Sequence, residues 1–567
     1  MIDALARALD PAADGARLAQ LRSGAALLLG LAALHGVALA AAVAARARRR
    51  AAPAPAALWT PGPRPPHEPG PRAFALGLAA LLVAASALRA VGLEQDLWMD
   101  EVFTLTDFVR LPVGLILTSY PHDNQHLLYT LLAHASCALL GESATALRLP
   151  AVVLGVGSLA ALARLGALVL GRREALMAVA LLAFSYHHVW FSQNARGYTG
   201  LLLGTLLATE LFLRGLWRGR PGTWLAYAGV VALSTWVHLT MVFVPAGHAL
   251  VGAFLAVRRL RALAPGDTEG RRALALAAGR AAGGLVLAGT LTLTLYALVL
   301  PQMLAFFTRP GGGSTTAAVE WKNPLWLVNE TLRGLGLGLA LGWLGLLAGL
   351  AAFAVGAGAL LRRDPVFAAL AALPAVLGAG ALVALGRNLW PRFFFHEAGF
   401  AALAAAAGAS AVAAALVRGA GRAGDARLAP RLASLAIGLL VLASAVALPR
   451  AWRLPKQDYR GPVARIEAEA APGDRVVALD VAGEVYRRYY APPHWTSARD
   501  EAELAARLAP AGRTWVVYTL PRYLAATQPG LVARLETDYE LVAAFPGTVG
   551  DGVLVVRRSR AADASRR

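Results

Sequence analysis

The stretch LWMDEVFTLTDF, residues 97–108, closes an apolar segment and sets two adjacent carboxylates, Asp100 and Glu101, where the chain leaves the apolar layer. A carboxylate that faces lipid at that depth gains nothing, so the pair is expected to line a water-filled cavity and there do chemistry or hold an ion. The competing reading is that Asp100 and Glu101 solvate a loop or cap the next helix. What lies on either side decides between them.

Outward from this stretch the chain is apolar along most of its length. Of 567 residues, 57% are hydrophobic and 16% charged, and the mean hydropathy is +0.54. Runs of about 20 apolar residues recur, each able to cross a hydrocarbon core of about 30 Å. The expected fold class is a polytopic α-helical membrane protein. The net charge of +20 comes from arginines clustered between apolar runs, which reads as a topology signal and not as a nucleic-acid surface. Cys137 is the only cysteine, so an intrachain disulfide and a Cys-based zinc site are both excluded.

The arginine clusters set the parity of the spans. A first span ends at Arg46, Arg48, Arg49 and Arg50, and a Pro/Arg-rich linker, 52–72, carries Arg64 and Arg72. With those on the cytoplasmic side, a span at 73–92 runs outward and leaves Asp100 and Glu101 outside. Spans are then expected at 148–170, 174–190, 198–213, 224–240, 241–257, 282–300, 334–361, 366–385, 393–417 and 432–449. The pair around WVHLTM is the step on which the later parity turns. The total is about twelve spans with both termini outside, an outer loop at 93–146 and a second at 301–333. Residues 450–567 lose apolar character and alternate short β-rich runs (RVVALDVAG, TWVVYTL, GVLVVRRS) with helical stretches, so a small external α/β domain is expected there. The division is 1–72, 73–449 and 450–567.

Polar residues gather in the outer loops. The first holds Asp107, His122, Asp123, Asn124 and His126, followed by a helix along the interface with Tyr129 at headgroup depth. Asp123 with His122 or His126 has the chemistry to ligate a divalent ion, but a hydrated loop needs no metal and is the favoured reading. FSQNARGY presents Gln193, Asn194, Arg196 and Tyr198 at a helix boundary. Arg196 can offer a planar fork to phosphate or snorkel to headgroups. RNLWPRFFFHE contributes Arg387, Arg392, His396 and Glu397, and the last two enter an apolar span at a cost that favours an inward functional face. Lys322 is a further phosphate candidate, with a solvated loop lysine as its alternative. His238 is read as a satisfied core histidine. Four polar clusters on one side suit an acceptor that loses a proton and a donor that carries phosphate on an apolar chain.

The order of DE after an early span, then D-N-x-H-x-L-x-Y, ALRLP and SQNARGY, resembles bacterial members of the protein O-mannosyltransferase and aminoarabinose transferase group. These are C-type glycosyltransferases, membrane enzymes that take sugar from a polyprenyl-phosphate donor on the outer face. The resemblance covers about residues 73–260, with looser matches at PRFFF and DYRGPVARIEAEAAPGDRVV. It implies Asp100 as catalytic base or acceptor-orienting carboxylate with Glu101 beside it, Asp123 as a metal or substrate residue, and Arg196 and Arg392 as donor-phosphate contacts. Two departures stand out: Gln125 and His126 replace a Pro-Pro step, and Asn194 replaces the acid of an SQ-E-AR form.

The expected function is transfer of a sugar from a polyprenyl-phosphate donor to an envelope acceptor at the outer face of a bacterial inner membrane, with inversion, and a divalent metal ion remains open as cofactor. The rivals are a transporter or lipid-linked sugar flippase, and a non-catalytic relative. A transporter would carry mid-span charges and broken helices in both halves, whereas here the charges sit at one face.

Overall fold

The computed structural model describes residues 1–47, 54–63, 68–309, 319–340, 342–422, 425, 427–508 and 512–560. Arg48, Arg49, Arg50 and Arg64 lie outside the described residues, as does 310–318 of the expected second outer loop.

Among the described residues, ten helices are long and apolar enough to cross a membrane, or eleven if the bent pair Arg172–Ala183 and Tyr186–Ser192 is one span. The difference from twelve is the helix Pro221–Val237. Its 17 residues rise about 25 Å, short of a full hydrocarbon core. It nevertheless runs back along the whole of Tyr198–Arg218: Trp224 lies against Gly215 near one end, and Val237 against Gly200 and Gly197 at the other. It therefore lies antiparallel to its neighbour along most of that helix. The chain around WVHLTM is two elements, because the helix stops at Val237 and a 3-10 turn, Leu239–Val242, precedes Phe243–Arg261.

The bent pair turns by 65°, and a buried arginine explains how the bend is tolerated. A helix end inside protein leaves carbonyls without partners. Arg89, fully buried at the end of Pro71–Ala90, donates to Ala183 O at 3.1 Å and Leu182 O at 3.4 Å, then to His188 Nδ1 at 2.7 Å. One side chain thus satisfies the first half of the bend and anchors the second.

The first outer loop folds as three short helical pieces, Met99–Thr104, Leu105–Val109 and Val113–Thr118, followed by the apolar helix Leu127–Leu140. Tyr129 is fully buried in protein and its hydroxyl donates to Leu147 O at 2.7 Å, because the helix packs on Ala144–Val169. A helix at the very start, Ile2–Leu9, packs on this loop too, with Leu9 O against Gly114.

The C-terminal sheet has five strands: β1 (Arg475–Leu479), β2 (Trp495–Ala498), β3 (Thr514–Thr519), β4 (Tyr539–Phe545) and β5 (Leu554–Ser559). Their order is β2-β1-β3-β5-β4, parallel from β2 to β3 and antiparallel beyond. The three β-rich runs of the sequence are β1, β3 and β5. Alternation along β3 sends Trp515 and Val517 to one face and Val516 and Tyr518 to the other. The first face shares a single apolar cluster with Leu97, Val102, Leu105 and Tyr129, so the sheet seals against the outer loop that carries Asp100. The second face packs on Leu524, Leu531 and Leu535 of its own helices.

Candidate active site

At the start of helix Met99–Thr104 the Glu101 side chain reaches back, and Trp98 N donates to its Oε2 at 3.4 Å. Two acids in a first turn suit the positive end of a helix. Consecutive helical residues point about 100° apart, so Asp100 and Glu101 cannot share a partner, and the structure sends them to different places.

Glu101 turns inward and is fully buried. Arg148 donates to both of its oxygens, Nε to Oε1 at 2.8 Å and Nη2 to Oε2 at 2.5 Å, and Ala195 N adds a third bond at 2.9 Å. Lys456 Nζ stands 3.7 Å from Oε1. Burial alone would raise the Glu101 carboxyl, but the charges of Arg148 and Lys456 outweigh it and hold it below the ordinary carboxylate range. Arg148 also donates to Leu93 O, Gln95 O and Asp96 O. This assembly pins four stretches of chain together and gives both Glu101 oxygens protein donors, a setting different from that of Asp100, with which the sequence grouped it.

Asp100 faces the other way. Its residue is 5% exposed, its Oδ2 has no hydrogen-bond partner, and Arg392 Nη1 lies 3.9 Å off. Its backbone carbonyl accepts from Thr104 Oγ1 at 2.7 Å and Asn124 Nδ2 at 3.0 Å, which fixes the turn on which it sits. Arg196 is buried rather than turned to headgroups: it donates from Nη1 to Asn124 O at 2.9 Å and to Asn124 Oδ1, while its Nε is unmet. Its guanidinium lies 5.8 Å from the Tyr198 ring centroid. The Tyr198 hydroxyl and Arg392 Nε are likewise buried without partners. Arg392 is held over Trp390, 5.2 Å from its ring centroid.

Two histidines brace this cluster. His126 Nδ1 accepts from Gly197 N at 3.2 Å, and its ring meets those of His238 at 4.6 Å and Tyr198 at 5.8 Å. Burial, with Arg196 close by, pushes His126 below its ordinary range, so it is neutral and accepts. His238 bonds Thr240 at 2.8 Å and faces Tyr198 at 5.2 Å, so the histidine read as core belongs to the site wall.

The remaining candidates lie around this cluster. His122 Nε2 is 3.1 Å from Asp107 Oδ2, and Arg488 of the C-terminal domain reaches the other Asp107 oxygen. Burial would raise Asp107, but His122 and Arg488 hold it below its usual value. That triad latches loop to sheet. Asp123 is half-buried nearby, within electrostatic reach of Arg392. His396 is buried, 3.2 Å from Glu397 Oε1. Arg387 donates to Phe307 O at 3.2 Å, near the end of helix Leu300–Thr308. Trp321, the residue before Lys322, meets Trp390 at 5.1 Å with the two ring planes tilted by 44°. His122 pairs with Asp107 while His126 packs on His238, so the proposed ligand set around Asp123 is not assembled. Among the described residues no three His, Cys, Asp or Glu side chains come together as a metal ion would require.

Lys456 was not foreseen. It is buried, donates to Gln193 O at 2.6 Å, and stands 5.6 Å from the Trp190 ring centroid. Only two lysines occur among the 54 basic residues, which is the one sequence signal that could have singled it out. Arg148, a charge inside the apolar ALRLP helix, was legible by the cost of burying it unpaired.

Residues 124–265 match the family described as dolichyl-phosphate-mannose-protein mannosyltransferase. That segment includes Asn124, His126, Arg196, Tyr198 and His238 of the cluster, while Asp100 and Arg392 fall on either side of it. Among solved structures, ArnT from Cupriavidus metallidurans in the apo state is 15% identical with a TM-score of 0.48, covering 86% of this chain and 98% of that one. The same protein bound to undecaprenyl phosphate is 14% identical with a TM-score of 0.47, covering 86% and 98%. The Archaeoglobus fulgidus oligosaccharyltransferase tethered with an acceptor peptide is 14% identical with a TM-score of 0.44, covering 84% and 74%. No curated protein sequence matches.

Proposed function

We propose that this protein is a membrane glycosyltransferase that moves a sugar from a polyprenyl-phosphate donor to an envelope acceptor at the outer face of a bacterial inner membrane. The observation that carries the reading is the group of buried polar atoms without partners: Asp100 Oδ2, Arg196 Nε, Tyr198 Oη and Arg392 Nε. Buried polar groups are nearly always satisfied, by protein, water or ligand, so open atoms converging from three separated segments support a polar ligand here. One acid and two guanidiniums match an acceptor hydroxyl and a phosphate.

In this account Asp100 takes the proton of the acceptor hydroxyl as that oxygen attacks the anomeric carbon. The bond from that carbon to the phosphate oxygen breaks as the new glycosidic bond forms, so configuration inverts. The departing polyprenyl phosphate gains negative charge, which Arg392 and Arg196 neutralise with the Tyr198 hydroxyl as a further donor. A positioned base contributes roughly 10²–10⁴-fold, and each donor aimed at the developing charge roughly 10²–10³-fold. Arg89, Arg148 and Lys456 position the loops and touch no substrate. Asp123 and Lys322 remain candidates for contact with the acceptor or the lipid end.

The test is incubation of the purified chain with a labelled polyprenyl-phosphate sugar and an extract of envelope acceptors. A labelled product with inverted linkage supports the reading. Saturable donor binding without transfer or hydrolysis, with any acceptor, points to a lipid carrier instead.

A further inference from the structure

A second cavity lies at the arginine-rich end of the helical body: helix Ala144–Val169 carries Arg148, the partner of Glu101, near its start, and Leu170 of the cavity follows its end. Helices Trp343–Arg363 and Ala398–Gly419 cross at a close backbone contact, Gly356 against Ala404 O and Gly408 against Ala352 O. One turn further on, a cavity of about 250 Å³ opens between them, walled by Leu170, Leu360 and Ala407, with Glu174, Ser410 and Arg363 as its polar members.

Glu174 is the unusual member. It is 8% exposed, accepts one hydrogen bond from Ser410 Oγ at 3.0 Å through Oε1, and has a buried Oε2 with no partner. Either protonation state leaves that oxygen unmet, and a lone buried carboxylate is costly. Arg363, exposed at the mouth, spends one N–H on Pro63 O at 3.0 Å. Acid at the floor, base at the mouth and apolar walls between them form a dipolar slot that opens among lipid-facing side chains such as Leu361, which is 61% exposed.

We propose that this cavity binds the headgroup of a phospholipid bearing a primary ammonium, the ammonium donating to Glu174 Oε2 and the phosphodiester accepting from Arg363. A bare divalent cation fits poorly: one carboxylate and one hydroxyl fall short of the six or more oxygens a calcium ion takes. The apolar walls favour the lipid over a free headgroup.

The experiment is native mass spectrometry of the full chain dosed with equal amounts of phosphatidylethanolamine, phosphatidylcholine and phosphatidylglycerol. The wild type retains phosphatidylethanolamine with roughly tenfold preference, the scale of one charge-assisted hydrogen bond. Glu174→Gln keeps the Ser410 bond and the fold but loses that preference, and the exposed Arg363→Gln weakens retention of every phospholipid. Equal retention of phosphatidylcholine, best retention of phosphatidylglycerol, or an unchanged preference in Glu174→Gln overturns the proposal. Displacement by soluble O-phosphoethanolamine or by calcium overturns the lipid assignment. If Glu174→Gln fails to fold, unchanged lipid retention in Arg363→Gln overturns it as well.

Discussion

Asp100 Oδ2 and Arg392 Nη1 face each other at 3.9 Å and share no hydrogen bond. A carboxylate and a guanidinium normally close to a bidentate contact of about 2.8 Å. Here Trp390 holds Arg392 from below and the Met99–Thr104 turn holds Asp100, so the gap is maintained by the scaffold. A gap between an acid and a base, each with an unmet atom, is where a hydroxyl and a phosphate can be held together.

From that gap follows the first expectation. Arg392→Ala lowers kcat for sugar transfer by roughly 10²–10³-fold, and Arg392→Lys restores little, because an ammonium lacks the planar fork. Kinetics with a labelled polyprenyl-phosphate donor checks this, and wild-type rates in Arg392→Ala would remove the residue from the account.

Glu101 behaves differently. Removing one partner of a fully buried ion pair costs about 3–5 kcal/mol, so Glu101→Gln and Arg148→Met each lower thermal stability in detergent. Their combination destabilises less than the sum, since the two groups are direct partners. A Glu101→Gln protein with wild-type melting and no transfer would return Glu101 to catalysis.

Much of this architecture was legible in the chain. Apolar runs bounded by arginine clusters marked the long helices, and three β-rich runs marked β1, β3 and β5. The division of labour between Asp100 and Glu101 was not legible, because it depends on helical phase within a six-residue turn. Nor was the turning inward of Arg196, whose lone charge at an interface suits lipid equally well until Asn124 and Tyr198 are seen beside it. Lys456 lies beyond the last span and reaches Gln193 only through the docking of the sheet, a contact between residues 263 apart in sequence. The burial of Tyr129 in protein was not legible either, because an amphipathic helix looks alike whether it meets lipid or another helix.

Lys456 gives a pH signature. Burial, then the charge of Arg148, brings its ammonium from an ordinary 10.5 down to about 7 despite Glu101. The unfolded chain therefore binds more protons than the folded one between those values, so this group makes stability rise as pH increases from about 7 toward 10.5. Thermal unfolding across that window shows the wild type gaining on Lys456→Gln. A constant difference between the two proteins would contradict the assignment.

Gly197 couples the two halves of the site wall. A Cβ there would lie 2.5 Å from Val237 O and 2.7 Å from His126 Nδ1. Gly197→Ala is expected to displace His126, break its bond to the Gly197 amide and shift Arg196, lowering kcat/KM by roughly 10²-fold, the scale of a 1 Å misplacement. Steady-state kinetics and melting on the same preparation test it; full activity would mean that the wall does not position Arg196.

The most direct test of the central claim is sugar transfer by Asp100→Asn in folded, detergent-purified protein with the labelled polyprenyl-phosphate donor. The side chain keeps its shape and loses its capacity to take a proton. The account predicts transfer reduced by roughly 10²–10⁴-fold with donor binding intact. Transfer at the wild-type rate would show that Asp100 is not the base and that the open atoms around it serve another ligand.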